Sequence, residues 1–377
     1  MIQSSILFDS FKNNGIHFFT GVPDSLLKDI CGYITDNTEA KEHIIAANEG
    51  AAVSLATGYY LATKNIPLVY LQNSGLGNTI NPLLSIADKE VYGIPMVLMI
   101  GWRGEPGVKD EPQHVKQGRV QNAILDASEI HYSIVDSNTE NINDVIEGLV
   151  KIAKQTNSPV ALVVKGDTFE SYKLKKDIKT DFELNREEAI KIVLDNISTD
   201  DIVVSTTGKS SREVFEYRVE KTQGHQNDFL TVGGMGHANQ IALGIALNTE
   251  RKVVCIDGDG AVLMHMGSLA IIGNSVSPNY IHIVINNGAH DSVGGQPTIA
   301  FNINLVEIAK SCGYKKAISV SNQEQIISSL LEFQKLEGPL FLEIKTNKGA
   351  RANLGRPTKT PAENKTGLME TLSTDVK

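Results

Sequence analysis

Along this chain apolar residues gather into short unbroken blocks of strand length, and between the blocks apolar side chains recur at helical spacing. Residues 44–47 form one such block and are followed by a helical pattern over 49–62. Residues 68–71 lead into a loop and a helix to Ala87, and residues 96–100 and 160–164 are further strand-length runs. The second half repeats the plan, with strands expected at 202–205, 253–256, 281–285 and 340–344 and helical or glycine-rich segments between them. Strand and helix in alternation build βαβ units, whose helices cover both faces of a parallel sheet. The expected fold class is therefore α/β, with two doubly wound parallel-sheet domains.

Residues 171–188 break the pattern, being rich in Lys, Asp and Glu without apolar periodicity, and are expected to link a first domain, 1–170, to a second, 189–354. From Gly355 the chain is polar and carries Pro357 and Pro361, which suggests an extended C-terminal arm over 355–377. A length of 377 residues suits two such domains of roughly 100 to 200 residues each. No fixed-period repeat of about 20 to 50 residues is present, which excludes a solenoid.

The charge balance narrows the partners. A formal net charge of -9 argues against nucleic acid, which is met by clustered Lys and Arg, so an anionic ligand would have to be received by a few local cations. Cys31, Cys255 and Cys312 are too few and too scattered for a disulfide framework or a zinc site, and read as reduced packing residues. The longest apolar run, residues 94–102, is far short of the ~20 residues of a membrane span, and the N-terminal stretch has no export-signal pattern. A cytoplasmic location without membrane contact is expected.

In open parallel sheets ligands collect beyond the carboxyl ends of the strands. The block 253–256 runs into Asp257-Gly258-Asp259-Gly260, with an apolar helical segment from about Ala261. Glycines there let the backbone approach a ligand, a helix start offers free N–H groups to phosphate oxygens, and one carboxylate suits Mg2+. The block 281–285 ends in Asn286-Asn287-Gly288, whose amides reach Asp259 if the two strands are neighbours. Either segment alone could be an ordinary Asp/Asn/Gly turn. A nicotinamide cofactor is disfavoured, because Val262 and Leu263 follow Gly258-Asp259-Gly260 where a dinucleotide site needs its third glycine, and Gly75-Leu76-Gly77 fails in the same way.

The spacing of Gly258-Asp259-Gly260 from Asn286-Asn287 resembles that of the thiamine-diphosphate enzymes. The resemblance implies both domains to be of the thiamine-diphosphate-binding type, the first holding the pyrimidine and the second the diphosphate. It implies Mg2+ bound by the Asp259 carboxylate, the Asn287 amide and the Ala289 carbonyl, with Gly258, Gly260 and Ala261 beside the cofactor. By the same resemblance Met235, between the glycines of Gly233-Gly234-Met235-Gly236, wedges beneath the cofactor, the Gly233 carbonyl accepts from its aminopyrimidine, and Thr207 and Gly208 touch it. Glu49, in Asn48-Glu49-Gly50-Ala51-Ala52, matches the glutamate that activates the cofactor. Each has a plainer reading as well: Met235 as core filler, Thr207-Gly208 as a helix entry, Glu49 as a charge at a helix N-terminus.

The chain has no room for a middle domain, and this compact layout resembles the phosphonopyruvate and sulfopyruvate decarboxylases. Gly21-Val22-Pro23-Asp24-Ser25 is similar to both. Arg103-Gly104-Glu105-Pro106-Gly107 with Lys109-Asp110-Glu111-Pro112-Gln113-His114, His290-Asp291-Ser292-Val293-Gly294-Gly295-Gln296-Pro297-Thr298, and Leu354-Gly355-Arg356-Pro357-Thr358 are closer to the former. The resemblance implies decarboxylation of 3-phosphonopyruvate, a small anionic 2-oxo acid, with His114 and His290 as candidates for proton handling. Lys109, Arg351 and Arg356 are candidate cations for the phosphonate, with Asp24, Ser25 and Gln113 as polar partners. It further implies a homo-oligomer with active sites between subunits. A sulfonate substrate is the near rival. A noncatalytic cofactor-binding subunit is a rival of another class, against which stands the presence of Glu49 and the metal segment in one chain.

Overall fold

The computed structural model describes residues 1–176 and 178–373, which form two units. The first comprises Met1–Asp177 with Ser292–Gln296, and the second Ile178–Asp291 with Pro297–Lys377.

The first unit is built on strands β1 (Phe19–Gly21), β2 (His43–Ile45), β3 (Leu68–Gln72), β4 (Val97–Gly101), β5 (His131–Val135) and β6 (Val160–Val164). They pair in parallel in the order β2-β1-β3-β4-β6-β5. The central runs are apolar throughout because helices cover both faces: Val97 and Met99 enter one core, Leu98 and Ile100 the opposite one. In the edge strand β5 only Val135 is buried, His131 and Ile134 are exposed, and His131 and Ser133 interrupt the apolar residues, so it gave no apolar block to read. The block expected at 44–47 pairs over His43–Ile45, and Asn48 then caps the helix Glu49–Thr63.

The second unit contains β7 (Ile202–Ser205), β8 (Asp228–Leu230), β9 (Val253–Gly258), β10 (Tyr280–Asn286), β11 (Lys316–Val320) and β12 (Leu340–Lys345), in the parallel order β11-β12-β10-β9-β7-β8. The expectation of parallel α/β sheets without a middle domain holds. In this sheet the chain steps outward from β7 to β8 and then crosses back past β7 to β9 and on to β10, and this reversal of strand order opens a crevice at the β7 and β9 tips.

Three local expectations are corrected. The helix Arg186–Asp195 begins inside the charged stretch expected to be linker, where Asn185 and Glu188 form a reciprocal capping box and Arg186 is buried. The apolar segment after Gly260 is two short helices, Asp259–Met264 and Gly267–Gly273, rather than one. The polar tail is a helix over Pro361–Ser373 rather than an extended arm. Glu363 accepts from Thr360 N–H at 2.7 Å, Leu368 is buried, and Asn364 bonds Leu230 N–H and the Asp228 carbonyl at the end of β8. Among the described residues no helix is long and apolar enough to cross a membrane.

Candidate active site

In the second unit β9 and β10 are hydrogen-bonded neighbours with Ile285 opposite Gly258, so the residues that follow each strand emerge on one rim. Asp259 is 4% exposed, and its Oδ2 accepts from Thr298 Oγ1 at 2.5 Å. Burial pushes its pKa up to about 7 against the pull of Thr298 and of backbone N–H groups, including those of Gly260 and Asn287. A divalent cation would reverse that burial cost and hold the carboxyl ionised. The two asparagines divide their work. Asn286 is spent on the fold, its Nδ2 donating to Glu343 Oε1 at 2.7 Å and its Oδ1 accepting from Gly288 N–H at 3.1 Å. The Asn287 side chain, also buried, among the described residues accepts only a short-range bond from Ala289 N–H at 3.1 Å, which leaves its Oδ1 a lone pair for a ligand. Ala289 is pinned by a bridge to Pro297, and Thr298 N–H donates to Gly288 O at 2.8 Å. A carboxylate, an amide oxygen and a backbone carbonyl are the hard oxygen donors that Mg2+ accepts.

Around this rim stand the cofactor candidates. Gly208 has φ 95° and precedes the helix Lys209–Glu220. Thr206, which sequence reasoning passed over for Thr207, is buried, faces Gly258, and carries a hydroxyl without a hydrogen-bond partner among the described residues. In the segment 233–236, Gly234 and Gly236 have φ of 66° and 86°, so the backbone turns sharply on either side of Met235. Met235 lies outside both apolar cores of its sheet. Its Cε is 3.8 Å, and the His290 ring 3.1 Å, from where a Cβ on Gly260 would stand. Met235, Gly260 and His290 are thus brought together. Burial holds His290 down to a pKa of about 4, so its ring is neutral near pH 7.

In the first unit Asn48 Oδ1 accepts from Ala51 N–H at 2.9 Å, which places Glu49 in the first helical turn. Glu49 is 4% exposed, and its Oε2 accepts from Asn78 Nδ2 at 2.8 Å. It also packs against Gly75, where an added Cβ would fall 2.2 Å from Oε1.

A second polar group of this unit gathers at the tips of β1, β3 and β4. Asp24 is fully buried. Its Oδ2 accepts from Leu26 and Leu27 N–H at 3.1 and 3.3 Å, and its Oδ1 has no hydrogen-bond partner among the described residues. Burial raises its pKa to about 6 against the attraction of Arg103. Arg103 donates through Nε to Asp110 Oδ2 at 2.8 Å, through Nη2 to Asp110 Oδ1, and through Nη1 to Ser25 Oγ at 2.6 Å. Burial opposes the Asp110 charge, but Arg103 and His114 outweigh it and hold that carboxyl far below its usual range. His114 Nδ1 is 3.0 Å from Asp110 Oδ1, and burial lowers its pKa. Gln113 is half-buried, and its Oε1 has no hydrogen-bond partner among the described residues.

The proposed cations stand differently. Lys109 and Arg356 are exposed. Arg351 is exposed, donates to Glu187 at 3.0 and 3.1 Å and also pairs with Glu216, so two carboxylates share its charge. Arg103, Asp110 and Thr298 were not singled out from the sequence. Their partners lie across turns or tens of residues away, and no local spacing marks them.

Residues 2–130 match the model of the thiamine pyrophosphate enzyme N-terminal TPP binding domain, and residues 206–344 that of the C-terminal TPP binding domain. The chain belongs to the thiamine pyrophosphate enzymes. Within them its relatives include the phosphonopyruvate decarboxylase of Streptomyces viridochromogenes, 32% identical over 96% of this chain and 93% of that protein. The phosphonopyruvate decarboxylase of Streptomyces hygroscopicus is 30% identical over 96% of this chain and 92% of its own length. A sulfopyruvate decarboxylase of Methanosarcina acetivorans is 27% identical over 90% of this chain and 89% of that protein.

Proposed function

We propose that this protein decarboxylates 3-phosphonopyruvate to phosphonoacetaldehyde and CO2 with thiamine diphosphate and Mg2+. The observation that carries the reading is the pair of buried oxygen donors, Asp259 and Asn287, on neighbouring strand tips of a chain whose near-full-length relatives include phosphonopyruvate decarboxylases.

Asp259, Asn287 and the Ala289 carbonyl would hold the metal, and Thr206, Thr207, Gly208, Gly233, Met235, Gly258, Gly260 and Ala261 would line the cofactor. Bound there, thiamine diphosphate supplies the electron sink that loss of the carboxylate requires. Asp259 serves the metal ionised, and Thr298 keeps one of its oxygens oriented. Glu49 shares a proton with the aminopyrimidine, its carboxylate aimed by Asn78. His290, neutral and beside Met235, has a ring nitrogen free to accept a proton in the site.

The substrate head is assigned to the first unit's cluster. Arg103, held by Asp110 and bonded to Ser25, keeps further N–H groups to donate, with His114 on the same Asp110, and it is preferred to Arg351 as the cation for a phosphonate. We further propose a homo-oligomer in which the first unit of one subunit brings Glu49 to the second unit of another. The free cysteines Cys31, Cys255 and Cys312 fit a reducing, cytoplasmic setting.

The sulfopyruvate decarboxylase relative supports a second reading in which a sulfonate takes the phosphonate's place. Aldehyde release from 3-phosphonopyruvate, sulfopyruvate and pyruvate, measured with saturating cofactor and Mg2+, tests both. The highest kcat/KM is expected for the phosphonate. A preference for the sulfonate would overturn the substrate assignment, and no turnover of any of the three would overturn the decarboxylase reading.

A further inference from the structure

A buried ion-pair network in the second unit ends one residue from His290. Arg186, 5% exposed at the start of its helix, donates through Nε and Nη2 to Glu213 at 2.8 Å each and through Nη1 to Asp291 Oδ2 at 2.6 Å. Asp291 Oδ2 also accepts from Gly349 N–H at 3.3 Å. Lys209 Nζ donates to the Asp291 carbonyl at 3.1 Å and lies 3.5 Å from its Oδ1. One aspartate therefore joins the loop after β10, the turn after β7, the loop after β12 and the helix Arg186–Asp195. Burying such charges is costly, and apolar side chains of similar size often stabilise a fold as well, so stability is a weak reason for the network.

Geometry gives a better one. The His290 ring has no hydrogen bond among the described residues. Its place beside Gly260 and Met235 is inherited from the backbone, and the adjacent anchored side chain is Asp291. We propose that Arg186 and Asp291 are positioning residues that hold the His290 imidazole in the cofactor site, and that Lys209 couples this clamp to the Thr207-Gly208 turn. The proposal rests on the reading of His290 as an active-site residue.

The test uses His290→Ala, Asp291→Ala, Arg186→Lys and the double variant His290→Ala/Asp291→Ala. Thermal melts establish folding, and where Asp291→Ala does not fold, Asp291→Asn takes its place. In cofactor-free protein at fixed pH, the His290 ring resonance is identified by its loss in His290→Ala. It is expected to move in Asp291→Ala and in Arg186→Lys, since lysine cannot bridge two carboxylates as the guanidinium fork does. With saturating cofactor, kcat of Asp291→Ala should fall roughly tenfold to a hundredfold, the scale of an ångström-sized misplacement. The double variant should be no slower than His290→Ala alone, because one residue acts through the other. An unmoved resonance in both clamp variants, or losses that multiply in the double variant, would overturn the proposal. Should His290→Ala turn over at the wild-type rate, the catalytic reading of His290 fails, and the resonance alone decides whether the clamp positions the ring.

Discussion

Gly75→Ala probes Glu49 without altering any side chain of the proposed chemistry. Gly75 sits at the end of the short turn Asn73–Gly75 with φ -80° and ψ -8°, a conformation alanine adopts without strain. The added methyl carbon would lie 2.2 Å from Glu49 Oε1, 2.4 Å from Cδ and 2.7 Å from Cγ. No carbon is tolerated at such distances, and the movable party is the carboxylate. It must swing away and give up its bond from Asn78, which at a charged acceptor contributes ~1.5–3 kcal/mol. Alanine's better helical propensity offsets up to ~1 kcal/mol. The expected net destabilisation is ~0.5–3 kcal/mol, a few degrees of melting temperature in a unit of this size. Activity should suffer far more. A displaced acid–base group costs roughly 100-fold in kcat, or ~2.7 kcal/mol of barrier. The assay is CO2 release at saturating cofactor and Mg2+, beside circular-dichroism melts, with Glu49→Gln as reference at a loss of ~100-fold or more. A Gly75→Ala protein that melts and turns over like wild type would show that the Glu49 carboxylate is not needed where it stands.

Asp259→Asn should weaken Mg2+-dependent thiamine diphosphate binding by roughly a hundredfold, since it removes the one anionic ligand of the proposed site; calorimetry with wild-type affinity would exclude Asp259 as that ligand. Asp24→Asn should flatten the pH dependence of stability. In wild type the folded carboxyl keeps its proton up to about pH 6, whereas the unfolded chain releases it near 3.8. Stability should therefore fall as pH rises through that window, by up to ~3 kcal/mol. Melts at both ends of the window should show a smaller decline in the variant, and an equal decline would contradict the assigned shift. Arg103→Gln should raise KM for 3-phosphonopyruvate more than for pyruvate, whereas Arg351→Gln should change both alike; the reverse pattern would return the phosphonate to Arg351.

The sequence by itself determined the α/β class, most of the central strands and which strand tips carry polar and glycine-rich segments. Buried parallel strands must be apolar on both faces, and β4, β6, β7, β9, β10 and β12 carry that requirement as unbroken runs. The segments after β9 and β10 were legible for a related reason, because a glycine-bounded carboxylate and an amide pair are local patterns. Only the tertiary structure supplied the edge strands β5 and β11, whose partly exposed faces need no apolar run, and the C-terminal helix, whose one buried anchor is Leu368. It alone separated Asn286, held by Glu343, from Asn287. It alone brought Thr298 to Asp259, Arg103 and Asp110 to Asp24, and Arg186 to Asp291. Local periodicity records which face of an element is buried. The partner of a buried polar group is chosen by the packing of distant segments, which no local spacing encodes.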